Sequence, residues 1–229
     1  MPIAEEIARY WCERAKRNKK DQLIFTVVLS GGNTATRLYG KLAEPKWRDQ
    51  IPWESVHIFF ADERCVPTSN DESNYKIICD HFINHISIPE TNVHRIRGEE
   101  NPQKESLRYA KDIQNHLALR KKGTGYFDWV LLGVGSDGHT ASLFPNQHFI
   151  NSTRLCEAVQ HPKSGQERIT LTPVAINNSL RITYHVLGEE KSEIIFKIAS
   201  DTSPKNIYPA SQIDGDWFLD RDAASKIDS

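Results

Sequence analysis

The chain has 229 residues, 38% hydrophobic and 26% charged, with a formal net charge of −1. That length buries a full core without disulfide staples and suits one large domain or two small ones. A near-neutral balance gives no overall attraction for nucleic acid, so an anionic ligand must be held by a local cluster of Arg and Lys. The four cysteines, Cys12, Cys65, Cys79 and Cys156, form no Cys-x-x-Cys pair and match no zinc spacing, so reduced structural thiols are expected. Met1 to Lys20 carries no apolar core of the secretory kind, and no stretch approaches the length of a membrane span. A cytoplasmic protein with neither membrane nor nucleic-acid partner is expected.

In chain order, Ile3, Ile7, Ala8, Trp11 and Ala15 recur at helical spacing and predict an amphipathic helix over 3–18. Leu23 to Leu29 is a short β-rich run that ends in Ser30-Gly31-Gly32-Asn33-Thr34, after which a helical pattern reaches Ala43. Strand, glycine turn and helix form the βα unit of α/β folds. Val56 to Ala61 is a second buried-type strand, followed by a polar loop and a helix from Asn74 to Asn84. Asn92 to Ile96 reads as a short strand. A helix is predicted over Pro102 to Lys121, with proline suited to its first turn. Phe127 to Val134 is a third strand, ending in Gly133-Val134-Gly135-Ser136-Asp137-Gly138-His139. Arg154 to Val159 and Arg181 to Leu187 supply further strands, Glu189 to Ala199 a helix, and Trp217 to Leu219 an edge strand. The alternation predicts one domain over 1–229, built on a mostly parallel sheet covered on both faces.

In open parallel sheets, ligands bind beyond the carboxyl ends of the strands. The polar segments Ser30–Thr34, Asp62–Arg64 and Gly133–Thr140 each follow a strand and are expected on one rim. Arg181 begins a strand and belongs at the other end. Gly31, Gly32, Asn33 and Thr34 open a helix whose free N–H groups favour a phosphate, although a Gly-Gly before a helix also serves as a plain turn. There is no Walker lysine and no full dinucleotide glycine pattern. Asp62-Glu63-Arg64 reads equally as an Asp that orients a histidine beside an anion-binding Arg, or as a salt bridge that orders a loop. In Asp137-Gly138-His139, a histidine with room in a glycine-rich loop suits general base catalysis, with Asp137 holding its ring N–H. The competing reading is a capping Asp beside an exposed His. His81 and His85 have metal-ligand spacing but no Glu after His81, so a solvated helix face accounts for them and no metal site is expected. Gly-x-Ser-x-Gly is absent, which leaves a base-activated water as the simpler hydrolytic route. Arg168 and Lys191 are ordinary cations unless the fold brings them to the glycine turn.

Six segments in order, SGGNT, ADERCVPTSNDESNY, LLGVGSDGHTASLFP, ERITLTPVAIN, VLGEEK and YPAS…WFLDRDAA, resemble the 6-phosphogluconolactonase family, related to the glucosamine-6-phosphate deaminases. The resemblance implies a Rossmann-like three-layer α/β/α sandwich and a cofactor-free hydrolase of the pentose phosphate pathway, opening 6-phosphoglucono-1,5-lactone as a monomer or small homo-oligomer. It implies His139 as catalytic base and Gly32, Asn33, Thr34, Arg168 and Lys191 around the substrate phosphate. Asp62, Arg64 and Asp137 fall in the family's active-site loops. The deaminases carry an acidic residue five places beyond this histidine, and here Phe144 stands there. A deaminase-type isomerase and a non-catalytic sugar-phosphate-binding module remain the alternatives.

Overall fold

A computed structural model describes residues 2–117, 125–147, 152–200 and 207–227. The elements run α1 (Pro2–Lys20), β1 (Phe25–Leu29), α2 (Asn33–Leu42), α3 (Pro45–Arg48), β2 (Val56–Phe60), β3 (Asp62–Arg64), α4 (Asn74–His81), β4 (Val93–His94) and α5 (Pro102–Leu117). They continue with β5 (Trp129–Leu132), β6 (Cys156–Gln160), β7 (Glu167–Leu171), α6 (Pro173–Asn177), β8 (Ile182–Val186), α7 (Ser192–Ser200), β9 (Asp216–Leu219) and α8 (Arg221–Ala224). The predicted end of the fifth helix, at Lys121, lies outside the described residues.

Six strands form one sheet in the order β4-β2-β1-β5-β8-β9, and every neighbouring pair is parallel. β1, β2, β5 and β8 are buried at every position, as near-continuous apolar runs must be when helices cover both faces. α1 presents Ile7, Ala8, Trp11 and Ala15 to this core, as their spacing predicts, together with Ala4; the side chain of Ile3 lies outside the described part of the structure. Trp11 meets Phe25, Phe82 and Trp129 there. At the amino ends of β1 and β5, the buried Asp128 carboxylate accepts from the Thr26 amide and hydroxyl and pairs with Arg14 at 3.3 Å. Arg181 starts β8 at that same end, its guanidinium over Trp129, far from the rim as expected.

Strand order reverses between β1 and β5: the chain leaves β1 toward β2 and β4, then returns to β5 on the other side. Such a switch point opens a crevice between the two outgoing loops. Ser30 Oγ donates to the Leu131 carbonyl across it at 2.8 Å, which fixes the spacing of the two strand ends.

A second, three-stranded sheet in the order β3-β7-β6 is antiparallel throughout, and it corrects the expected organisation. Asp62–Arg64 is a strand of this sheet rather than a loop, and the strand predicted at Arg154–Val159 joins it instead of the parallel sheet. The chain passes between sheets at Ala61, whose N–H donates to Leu29 while its carbonyl accepts from Leu171, at 2.9 and 2.8 Å. An Asp-Glu-Arg strand has no apolar alternation, so periodicity could not reveal it.

Candidate active site

The turn after β1 depends on both of its glycines. Gly32 has φ of 102°, a left-handed value that a side chain strains, and it caps α2 without any side-chain hydrogen bond. A Cβ on Gly31 would overlap the Asn74 amide oxygen. Thr34 and Ala35 in the first turn of α2 line the crevice, and the opening N–H groups of a helix have no partner within it. The side chain of Asn33 lies outside the described part of the structure.

β3 carries Asp62 and Arg64 to the same crevice. The buried Asp62 carboxylate accepts from Ser142 Oγ at 2.6 Å and from the Asn74 amide at 3.0 Å. It thus ties the start of α4 to the loop after β5, and Asp137, not Asp62, grips the histidine. Glu63 has another task. One oxygen accepts from the N–H groups of Arg64 and Asn74, the other from the Tyr75 N–H and the Ser73 hydroxyl, between 2.7 and 3.0 Å. These bonds cap the N-terminus of α4, where a carboxylate is favoured, and burial pushes the Glu63 pKa up against them. The salt bridge considered for this segment is not formed among the described residues. His81 and His85 face backbone carbonyls on the exposed surface of that helix end, as a solvated face requires.

Arg64 on β3 stands directly opposite Arg168 on β7. Neither forms an ion pair with a carboxylate among the described residues. Arg64 donates to the Glu72 carbonyl at 2.6 Å, while its buried Nε has no partner. Arg168 donates to the Gln166 side chain and lies over the Phe144 ring, 5.6 Å from its centroid. Burial, then the like charge of Arg64, lowers the Arg168 pKa. Two facing guanidiniums, neither in an ion pair among the described residues, suit an anion between them.

The loop after β5 supplies the titratable dyad. His139 Nδ1 lies 2.5 Å from Asp137 Oδ1, and the His139 backbone N–H donates to the same oxygen at 3.2 Å. The hydrogen bond to the imidazole holds the Asp137 carboxyl down at about 2, so it is ionised at any physiological pH. Nδ1 is then the protonated nitrogen of the neutral ring and Nε2 carries the free lone pair. Gly135 closes the loop by donating to the His139 carbonyl at 2.8 Å, and Gly138 takes φ of 81°. Ala141, two residues beyond the histidine, is also left-handed, at 49°. The His139 ring packs on the buried Phe144, centroids 5.0 Å apart. The place of the deaminase acid is thus occupied by an aromatic platform.

Lys191 completes the wall. It follows Gly188, whose φ of 97° turns the chain and whose N–H is held by Asp220 at 3.1 Å. Its ammonium donates to the Val134 carbonyl at 3.0 Å. A cavity of about 300 Å³ is lined by Gly31, Gly32, Thr34, Asp62, Arg64, His139, Arg168 and Lys191. Asp137 stands behind His139. Sequence reasoning missed Asn74 and His185, which also line it, and the supporting roles of Ser142 and Phe144. A lone Asn or Ser carries no periodic signal; Asn74 and Ser142 stood out only as members of two of the six segments.

The family model for glucosamine-6-phosphate isomerases/6-phosphogluconolactonase matches residues 2–219. The chain belongs to this family. Within the glucosamine-6-phosphate isomerase/6-phosphogluconolactonase family, it is 40% identical to the 6-phosphogluconolactonase of Aggregatibacter actinomycetemcomitans over 206 residues, 88% of this chain and 87% of that one. It is also 40% identical to the 6-phosphogluconolactonase of Haemophilus influenzae over 202 residues, 86% and 85% of the two chains. The crystal structure of 6-phosphogluconolactonase from Thermotoga maritima superposes with a TM-score of 0.78 at 29% identity, covering 94% of each chain. No helix among the described residues is long and apolar enough to cross a membrane.

Proposed function

We propose that this cavity hydrolyses 6-phosphoglucono-1,5-lactone, using water activated by His139. The observation that carries the reading is the His139–Asp137 dyad at a cavity that also holds Arg64, Arg168 and Lys191. The substrate phosphate binds the N–H groups at Gly32–Thr34 together with Arg168 and Lys191. His139 Nε2 takes a proton from water as the oxygen attacks the C1 carbonyl. The oxyanion is stabilised by Arg64 or a neighbouring N–H. When the tetrahedral adduct collapses, the ring oxygen leaves and takes the proton back from the imidazolium. Ester and water are consumed and an acid and an alcohol appear, with no redox change and no cofactor. General base catalysis is typically worth ~10²–10⁴-fold, enough for a lactone that already opens slowly in water. We place the reaction in the cytoplasm, a reading supported by four cysteines that are all free thiols.

Freshly prepared 6-phosphoglucono-1,5-lactone should disappear faster with the protein than by spontaneous hydrolysis, and the rate should persist in EDTA. Glucosamine 6-phosphate should release no ammonia. Ammonia release at a comparable rate would transfer the assignment to the deaminase branch, and turnover no faster than background would leave only a binding module.

Arg168→Ala and Lys191→Ala should each raise KM by about tenfold and change kcat less, because a charge-assisted bond to a remote phosphate is made alike in ground and transition states. Unphosphorylated gluconolactone should be a poor substrate for the same reason. Wild-type steady-state constants in both variants would remove these residues from the phosphate site.

A further inference from the structure

Three histidines that the proposed reaction does not use meet on the opposite part of the main sheet. His57 belongs to β2, His94 to the edge strand β4 and His116 to α5. One ring nitrogen from each lies within 4.8 Å of one from each of the others. His57 and His94 are 8% and 7% exposed, and the His116 side chain, at 21%, leaves a route from solvent. Along β2, at ~3.3 Å per residue, His57 lies about 10 Å before Phe60, and the catalytic rim begins beyond it.

The hydrogen bonds around the cluster orient its lone pairs. His94 Nδ1 and His116 Nδ1 each lie 3.3 Å from Asp112 Oδ1, and His116 Nδ1 also reaches the Asp112 carbonyl at 2.9 Å. With Asp112 on the Nδ1 side of both rings, its carboxylate beside His94 and its carbonyl accepting from His116, Nε2 of each ring is left unprotonated. Metal-ligating histidines characteristically have such a partner on their far nitrogen. Arg108 in turn braces Asp112 at 3.3 Å. His57 Nδ1 faces His94 Nε2 at 2.9 Å. The rings are held in place: Phe59 stacks on His94 with centroids 4.3 Å apart, and His94 meets His116 edge-on at 4.0 Å.

We propose that His57 Nδ1, His94 Nε2 and His116 Nε2 bind one divalent transition-metal ion of the class that prefers imidazole, such as zinc(II), with Asp112 as the carboxylate that sets the tautomers. Three imidazole nitrogens with a fourth position left to water form a ligand set that zinc accepts. The proton that His57 Nδ1 gives up on taking the metal moves to Nε2 of the same ring. The ion ties the short edge strand β4 to β2 and α5, three elements distant in sequence, so its role is to staple the sheet edge.

The test uses tag-free protein, stripped with chelator and titrated with zinc(II) in a calorimeter and with cobalt(II) in a spectrophotometer. One equivalent should bind with micromolar or tighter affinity, with visible cobalt bands of nitrogen ligation. A hundredfold excess of free zinc over Kd should raise Tm by about 5–10 °C. His116→Ala and His57→Gln, checked for fold by circular dichroism, should lose the equivalent and the Tm rise, whereas His139→Ala should keep both. No equivalent at micromolar zinc, or one kept by His116→Ala and lost by His139→Ala, overturns the proposal. Should His116→Ala fail to fold, His116→Gln stands in, and the wild-type cobalt spectrum still decides.

Discussion

His139→Ala should lower kcat by about 10²–10⁴-fold over background hydrolysis while leaving the fold and the binding of 6-phosphogluconate intact. The ring sits at the rim, against Phe144 and a glycine-rich loop, so its removal opens no interior cavity. Neither Thr140 nor Ser142 can replace it: Thr140 Oγ1 donates to the Gly133 carbonyl and Ser142 Oγ to Asp62. Wild-type activity should show an acid limb, because a base that already holds a proton cannot take one from water, and Asp137, held down at about 2, keeps its charge across it. The variant should lose the limb altogether. Asp137→Asn should cost less, since it disturbs tautomer and orientation but keeps the base. The measurement is kcat against pH, with circular dichroism and product binding as controls. A folded, ligand-binding His139→Ala protein with wild-type turnover would falsify the mechanism. The base would then have to be sought at Asp62, because both Glu63 oxygens are engaged in capping α4.

Gly135→Ala should lower kcat by about 10²-fold although it removes no functional group. A Cβ there would overlap the His139 ring and approach Asp137 Oδ1 to 2.8 Å. The imidazole must turn away or the loop must shift, and a misplacement of ~1 Å is enough for a loss of that size. Gly135 does not have a left-handed φ, so the effect is one of space and not of backbone strain. Gly133→Ala is the matched control: its Cβ meets nothing within 4 Å, so it should leave the His139–Asp137 dyad in place and cost far less in kcat. Phosphate-dependent binding of 6-phosphogluconate should survive in both, because Arg168 and Lys191 stand on other elements. Equal kcat in the two variants would mean that the dyad is not held by the close approach of Gly135.

The contrast between the two sheets shows what could be read in advance. β1, β2, β5 and β8 are buried along their whole length and appear as apolar runs, so the parallel sheet and its rim were legible. β3 was not, because its side chains serve the cavity and the cap of α4 and not the apolar core. For the same reason the facing of Arg64 and Arg168 was invisible: it follows from an antiparallel register between distant segments. Asp137 and His139 were legible as partners because a single residue, Gly138, separates them. Adjacent carboxylates such as Asp62 and Glu63 look alike in a sequence, and only packing shows that one ties the start of α4 to the loop after β5 while the other caps that helix. The histidines at 57, 94 and 116 carry no motif at all, since their spacings belong to topology.

The passage of the chain through Ala61 has a consequence for biosynthesis. Asp62–Arg64 finds its partner strand only after roughly a hundred further residues have been made, since it pairs with Arg168–Thr170. During translation the first half of the parallel sheet can collapse as βα units while the Arg64 edge waits unpaired. Such long-range closure is the slow part of folding, and waiting edges are prone to mispairing. Catalytic competence therefore appears late in the life of the nascent chain, well after most of its hydrophobic core has been synthesised.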